Sequence, residues 1–452
     1  MSDSPSLAIA KATRIDLFNY RTPAMRIFHT TWFAFFLCFF GWFGIAPLMA
    51  VVREELALTQ VQIGNIIIAS VAITIVARLV IGWVCDRVGP RITYTWLLLL
   101  GALPVIGIGL ANSYVSFLLF RLAIGAVGAS FVITQYHTSM VFAPNVVGTA
   151  NATTAGWGNL GGGVTQMAMP LIFALFVTLG FADAISWRLA MMVPGIAMIV
   201  TGVLYWCLTT DTVDGNYREL RAARRMASAN QTRGSFLLAA RDRRVWALFV
   251  IYGACFGIEL TVNNIAALYF KDYFDLGLKE AGIVAGLFGL MNIFARTLGG
   301  IFGDRTGRKW GLKGRVAFLG VVLAGEGLAL ILFSRMALLP MAIVTLVAFS
   351  MFVQMSEGAT FSVVPFINRK ALGSVAGIVG AGGNAGAVAA GFLFRLEGLP
   401  WPQALLILGA TVACAASLTL LVRFSPAAEV EAREEMEERL RRARLEAAPR
   451  AA

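Results

Sequence analysis

At 452 residues the chain is long enough for three soluble domains, yet 58% of its residues are hydrophobic, 14% are charged and the mean hydropathy is +0.76. Soluble domains carry about a quarter charged residues, so this composition excludes an ordinary water-soluble protein and describes a chain lying mostly in lipid. A formal net charge of +12 would suit a nucleic-acid binder, but the basic residues sit in short loops between apolar runs, where the Lys/Arg bias of cytoplasmic loops accounts for them.

In chain order, the cytoplasmic N-terminal segment 1–26 is polar and basic without a short apolar core or cleavage site, and we expect no signal peptide. Apolar runs near 27–50, 62–84, 93–112, 115–137, 153–178 and 187–208 are each close to the ~20 residues that cross a bilayer as a helix. They make up an N-terminal six-helix half, 27–208. A basic linker, 209–245, follows with Arg218, Arg221, Arg224, Arg225, Arg233, Arg241, Arg243 and Arg244. The C-terminal half, 246–424, repeats the plan with runs near 246–270, 280–302, 315–334, 337–362, 374–394 and 402–424. The tail, 425–452, alternates Glu and Arg (Glu434, Glu435, Glu437, Glu438, Arg439, Arg441, Arg442) and reads as a solvated helix. Loops around Arg87/Arg91 and Arg305/Arg308/Lys309/Lys313 are basic, whereas those around Ser113 and Phe181–Asp183 are nearly free of Lys and Arg. This asymmetry predicts a multi-pass protein of the inner (plasma) membrane with both termini and the linker cytoplasmic. The fold class expected is therefore all-α membrane protein, with twelve transmembrane helices in two pseudo-symmetric halves. Cys38, Cys85, Cys207, Cys255 and Cys414 are scattered in apolar segments without a CxxC pair, which argues against disulfides, zinc or haem attachment.

The halves share motifs. Arg78-x3-Gly82-x3-Asp86-Arg87-x-Gly89-x-Arg91 recurs as Arg296-x3-Gly300-x3-Asp304-Arg305-x-Gly307-x-Lys309, at an offset of 218 (296 − 78). Gly148…Gly158-Asn159-x-Gly161 recurs as Gly373…Gly383-Asn384-x-Gly386, at an offset of 225 (384 − 159). Loops between the two motifs must absorb the difference of seven residues. Repeated halves of this kind hold substrate near the midplane, between the lobes. The loop Gly82-x3-Asp86-Arg87-x-Gly89-x-Arg91 resembles the signature of the major facilitator superfamily, and its recurrence strengthens the resemblance. In that superfamily the cluster is thought to latch the cytoplasmic side, which implies a gating role for Asp86, Arg87, Asp304 and Arg305.

Arg78 and Arg296 each stand eight residues before the Asp of their motif (86 − 78 = 8), roughly 12 Å into the membrane at ~1.5 Å per residue. Arginine at that depth costs a few kcal/mol even on lenient scales, about 2.5–3.5, so it cannot face lipid. One such arginine is equally well read as a structural group held by carbonyls or a carboxylate. Two at equivalent places suit a clamp around one anion, because guanidinium offers paired N–H donors that match a flat oxyanion. The glycine stripes Gly156–Gly163 and Gly377–Gly386 are partly explained by close helix packing, which does not require an Asn at the same point of both. Gly380-x-Gly382 lacks the βαβ context of a dinucleotide loop, and we expect no cofactor and no metal.

These stripes closely resemble the paired nitrate signatures of the nitrate/nitrite porter family, over essentially all of 27–424. The resemblance implies that Arg78 and Arg296 bind nitrate, with Asn159 and Asn384 nearby, and that Phe131, Tyr252 and Phe256 line the site as aromatics. It does not select among Phe35, Phe36, Phe39 and Phe40 of the first helix. It also implies nitrate, possibly nitrite, and protons as partners, membrane lipid as the surroundings, no nucleic acid, and a monomer.

Glu259 lies within the seventh run, where a fixed negative charge is disfavoured, and its spacing from Tyr252, Phe256 and Asn263 puts all four on one face. It can act as a proton carrier that pairs with a binding arginine when the anion is absent, or it can belong to a permanent structural ion pair. Glu357 and His137 are weaker proton candidates, and Arg121 reads as structural or gating. The run Phe256-Gly257-Ile258-Glu259-Leu260-Thr261 resembles the proton-coupled branch of the family, so nitrate:proton symport is expected and nitrate/nitrite exchange is the alternative. An organic-anion transporter would use the same arginines. A membrane enzyme lacks a reactive constellation, with His29 and His137 the only histidines, and a sensor would need a domain larger than the tail.

Overall fold

The computed structural model describes residues 11–143, 146–223, 235–368 and 372–430; most of the charged tail, and Arg224, Arg225 and Arg233 of the linker, lie outside these. Among the described residues, eleven helical runs are long and apolar enough to cross a membrane: Pro23–Glu55 (α1), Gln60–Val88 (α2), Pro90–Leu110 (α3), Tyr114–Val141 (α4), Val147–Thr178 (α5), Asp183–Leu208 (α6), Arg243–Phe274 (α7), Leu278–Ser334, Leu339–Phe366 (α10), Ser374–Arg395 (α11) and Trp401–Leu421 (α12). The 57-residue run Leu278–Ser334 is two helices, residues 278–310 (α8) and 312–334 (α9), parted at Gly311, whose φ of 70° no helix contains. The expected twelve are thereby present. Short helices Tyr217–Ala222 and Ser235–Ala240 lie between α6 and α7.

Several helices outrun their apolar cores. The seventh spans Arg243–Phe274 against the expected 246–270, and α8 continues to residue 310 rather than 302. Hydropathy marks what sits in hydrocarbon, whereas helical hydrogen bonding runs on until a cap stops it. Thr59 caps α2 reciprocally with Gln62 (3.3 and 3.0 Å), and Thr22 caps α1 ahead of Pro23.

Packing repeats with the motifs. Within the halves, α1 packs on α5 as α7 packs on α11, and α3 on α6 as α9 on α12; between them, α5 meets α8 as α11 meets α2. α1 and α7 are buried along most of their apolar stretches, while Leu79, Leu100, Leu171, Leu328, Val344 and Leu420 of the surrounding helices face outward as a lipid-contacting surface. The glycine stripes permit the closest approaches. A Cβ at Gly158 would stand 1.8 Å from Phe35, and at Gly383, its repeat, 2.3 Å from Phe256; at Gly161 and Gly386 it would meet backbone carbonyls of α1 and α7.

The two ends of the bundle differ. At the end opposite the signature loops, termed the far end, Arg53 of α1 donates to Asp272 of α7 (2.8 Å for one of its two contacts) and Gln60 of α2 donates to the carbonyls of Leu396 (2.9 Å) and Leu399 (3.2 Å). Deeper toward the centre, Arg121 donates to the Trp42 carbonyl and to Asn264 of α7, both at 2.8 Å. Gln166 of α5 donates to the Asn263 carbonyl (2.6 Å). These contacts seal the far end between the halves, and Arg121 is one of their pins.

At the motif end each half closes on itself. Gly89, with φ 94°, is the only residue between α2 and α3, and the Asp211 carboxylate lies against it, accepting from Arg91 N and Tyr217 N at 2.9 Å each. Gly311 occupies the corresponding turn, with Glu429 accepting from Leu312 N (2.8 Å) and Lys313 N (3.1 Å). The caps share the 218 offset (429 − 211), whereas the capped amides differ by 222 (313 − 91). The α8–α9 turn therefore takes up four of the seven residues separating the two motif offsets. Burial pushes the Asp211 carboxyl up, and the amide hydrogen bonds from Tyr217 and Arg91 oppose that. Asp211→Ala strands two amide donors, one of them buried, and should cost about 2 kcal/mol or more. Glu429→Ala, at a half-buried site, should cost less. Thermal unfolding in detergent of the two variants beside the parent checks the order.

Candidate functional site

Arg78 of α2 points inward and is 8% exposed. Its Nη1 donates to the Gly380 carbonyl of α11 at 3.0 Å, tying the halves together at mid-depth. The guanidinium carbon lies 5.3 Å from the Phe131 ring centroid and 5.7 Å from that of Phe256. Nε and Nη2, the side-on edge of the group, are buried without a hydrogen-bond partner. The charged edge thus keeps two open donors beside two aromatic rings.

Arg296 of α8 is 5% exposed and differently satisfied. Its Nη2 donates to the Tyr252 hydroxyl at 3.1 Å, and its Nη1 is in ion-pair contact with Glu357 of α10. Tyr252 stacks on Phe256 (5.3 Å between centroids, 14° between planes) and meets Phe361 edge-on at 5.1 Å. It lies within electrostatic reach of both arginines, which also sense each other.

Glu259 does not take the arginine contact considered for it from the sequence. Asn159 of α5 donates to one of its oxygens (3.3 Å) and Asn292 of α8 to the other (2.8 Å). Arg296 and Glu357 remain its electrostatic neighbours, so two carboxyls share one guanidinium. Asn384 is fully buried, one turn beyond Gly380 on α11, and neither amide atom has a partner. Asn159 keeps its carbonyl oxygen free as well. Arg78, Phe131 and Phe256 are thus brought together, Tyr252 joins them to Arg296, and Glu259 and Asn159 adjoin.

Other sequence candidates lie elsewhere. His137 is held by the Tyr205 hydroxyl (2.6 Å) and the Thr210 carbonyl (2.8 Å), inside the N-terminal half and away from the arginines. At the motif end Arg221 donates to the carbonyls of Arg87 (2.6 Å) and Asp86 (3.0 Å), Arg87 lies over Trp83, Asp304 accepts from Arg315 (2.5 Å) and Arg305 lies over Phe302. These contacts keep each cluster with its own half.

Some participants escaped sequence reasoning. Phe35 is the first-helix aromatic nearest the site, 5.9 Å from Phe131 and seated on Gly158. Neighbouring phenylalanines gave no basis for choosing it. Asn292 could have been found as an amide one turn before Arg296 in an otherwise apolar run.

Residues 31–369 match the Major Facilitator Superfamily. The chain is 41% identical to High affinity nitrate transporter 2.5 of Arabidopsis thaliana, over 85% of this chain and 76% of that one. It is 32% identical to the Nitrate/nitrite transporter NrtP of a Picosynechococcus species, over 80% and 83% respectively. Among solved structures it resembles a bacterial homologue of the human lysosomal transporter Spinster, inward-facing and unoccupied (TM-score 0.69, 16% identity, 90% of this chain and 99% of that one). It also resembles the proton:xylose symporter XylE (TM-score 0.67, 14% identity, 92% and 99%), and at such identities the likeness is one of fold. The match across most of the chain, together with close relatives that are transporters rather than enzymes, establishes that the protein belongs to the major facilitator superfamily, in the family that includes these nitrate transporters.

Proposed function

We propose that the protein carries nitrate across an inner membrane together with protons, by alternating access around the paired arginines. The observation that carries this reading is the free side-on edge of Arg78 beside Phe131 and Phe256, with Arg296 within electrostatic reach. Nitrate is flat and singly charged, so two of its oxygens can accept from Nε and Nη2 while the rings cover its faces. The Asn384 Nδ2, which has no partner, is a further donor for it, while the Asn159 Nδ2 already donates to Glu259. The nitrate transporters among the relatives support the choice of anion.

Charge balance supports the protons. Arg78 and Arg296 bring two positive charges, and ionised Glu259 and Glu357 cancel them. Nitrate then leaves one negative charge in a low-dielectric site, and one proton on either carboxyl restores neutrality. Nitrate competes with Glu357 for Arg296, so binding and protonation are linked. Entry of nitrate alone into a negative interior costs about 2.3 kcal/mol per 100 mV, which co-transported protons offset. With the basic motif end cytoplasmic, the far-end contacts close the outer side. The clusters Asp86/Arg87 and Asp304/Arg305 then act as the latch that closes the cytoplasmic side in the opposite state.

In sealed vesicles with an imposed inward proton gradient and no internal anion, nitrate should accumulate; a requirement for internal nitrite would instead establish exchange. Arg78→Lys keeps a donor for Gly380 but loses the paired edge. It should weaken nitrate binding by about 1.5–3 kcal/mol, or roughly ten- to a hundredfold, in an equilibrium binding assay. Glu259→Gln and Glu357→Gln should each blunt gradient-driven uptake while leaving nitrate-for-nitrate exchange measurable. Unchanged dependence on outer pH in both variants would remove the carboxyl pair from coupling.

A further inference from the structure

The C-terminal half buries a third carboxyl that the anion site does not use. Glu326 of α9, between Gly325 and Gly327, is wholly inaccessible and neither oxygen has a hydrogen-bond partner. α10 presents to it the Ser356 hydroxyl, which faces the carboxyl without completing a hydrogen bond, and the carboxyl of Glu357. α7 brings the thiol of Cys255. α12 meets the adjoining Gly327 with the backbone of Gly409 and Ala413, which bring no titratable group. Gln354, one turn before Glu357 on α10, is also fully buried with both amide atoms unpartnered. Among the described residues no Lys, Arg or His forms an ion pair with Glu326.

An ionised carboxylate there has no counter-charge, at a cost of several kcal/mol, whereas the neutral acid can donate as well as accept. Glu326 of α9 and Arg296 of α8 each stand fifteen residues from the Gly311 turn that joins those helices (326 − 311 and 311 − 296), about 22 Å at the helical rise, so the carboxyl lies level with Arg296. Ser356 faces Glu326 while its neighbour Glu357 pairs with Arg296, so α10 links the two at one level.

We infer that Glu326 is a proton-accepting carboxyl that exchanges protons with Glu357. In each transfer the O–H bond on Glu326 breaks as one forms on the ionised Glu357, and a proton from water restores Glu326. One proton moves and no electrons do. Glu326 touches no part of the anion site itself, so it is a positioning residue for the proton, acting through Glu357. This inference rests on the symport reading, and the test separates the two.

Glu326→Gln and Glu326→Asp would be compared with the parent in sealed vesicles by two measurements. One is counterflow of labelled nitrate at equal pH, which needs no net proton movement; the other is accumulation driven by an inward proton gradient across a range of outer pH. Glu326→Gln should keep counterflow at the parental rate and lose accumulation, while Glu326→Asp regains accumulation with a displaced pH profile. Accumulation by Glu326→Gln with the parental rate and pH profile would make Glu326 a permanently neutral packing group. Loss of counterflow along with accumulation would mark a structural role and equally overturn the relay. A parent protein that shows counterflow but no proton-driven accumulation would defeat the symport reading first, and this inference with it.

Discussion

Two guanidinium groups buried at mid-depth between apolar helices are the constraint around which the rest is arranged. Neither Arg78 nor Arg296 can be left bare in hydrocarbon, so each demands polar company from other helices. Arg296 obtains it from Tyr252 and Glu357, and Glu357 in turn draws in Glu259 and its two amide donors. Arg78 obtains only one carbonyl and two ring faces. Arg78 is thereby left with two unpartnered donors, whereas a group already saturated by the protein has none left to offer.

The repeat is faithful in backbone and unfaithful in chemistry. The same offset that superimposes Gly158 and Gly161 on Gly383 and Gly386 also superimposes the helix pairs they allow to close, α1 with α5 and α7 with α11. The motif-end caps follow suit, Asp211 and Glu429 each turning a positive-φ glycine into the start of the next helix. The acidic side chains do not follow. Glu259, Glu326 and Glu357 all belong to the C-terminal half, so that half holds the negative charge and the N-terminal half contributes the more open cation. The frame is thus pseudo-symmetric while its buried charge is not.

The same close packing also sets the conformation. Where Gly163 of α5 meets Gly289 of α8 the backbones nearly touch, and the Arg121–Asn264 and Arg53–Asp272 contacts lie at or toward the same end. Opening that end would strip these polar groups of partners, so the far-end seal is cooperative: its members part together or hold together.

By itself the sequence determined the number of membrane helices, the two halves, the depth of the arginines and the residue types near them. Those features follow from hydropathy and from spacing at the helical rise, which are local properties of the chain. It could also place Tyr252, Phe256 and Glu259 on one face of α7, because a helix fixes relative direction over two turns. Only the tertiary structure decided who pairs with whom: that Arg296 meets Glu357 while Glu259 receives two asparagine amides, that Phe35 is the aromatic seated on Gly158, and that His137 is satisfied elsewhere. It alone revealed Glu326 buried without a cation, within electrostatic reach of Glu357. The physical reason is that pairing depends on the rotation and height of one helix against another. Those are set by where small residues let backbones approach, and no periodicity within a single helix encodes them.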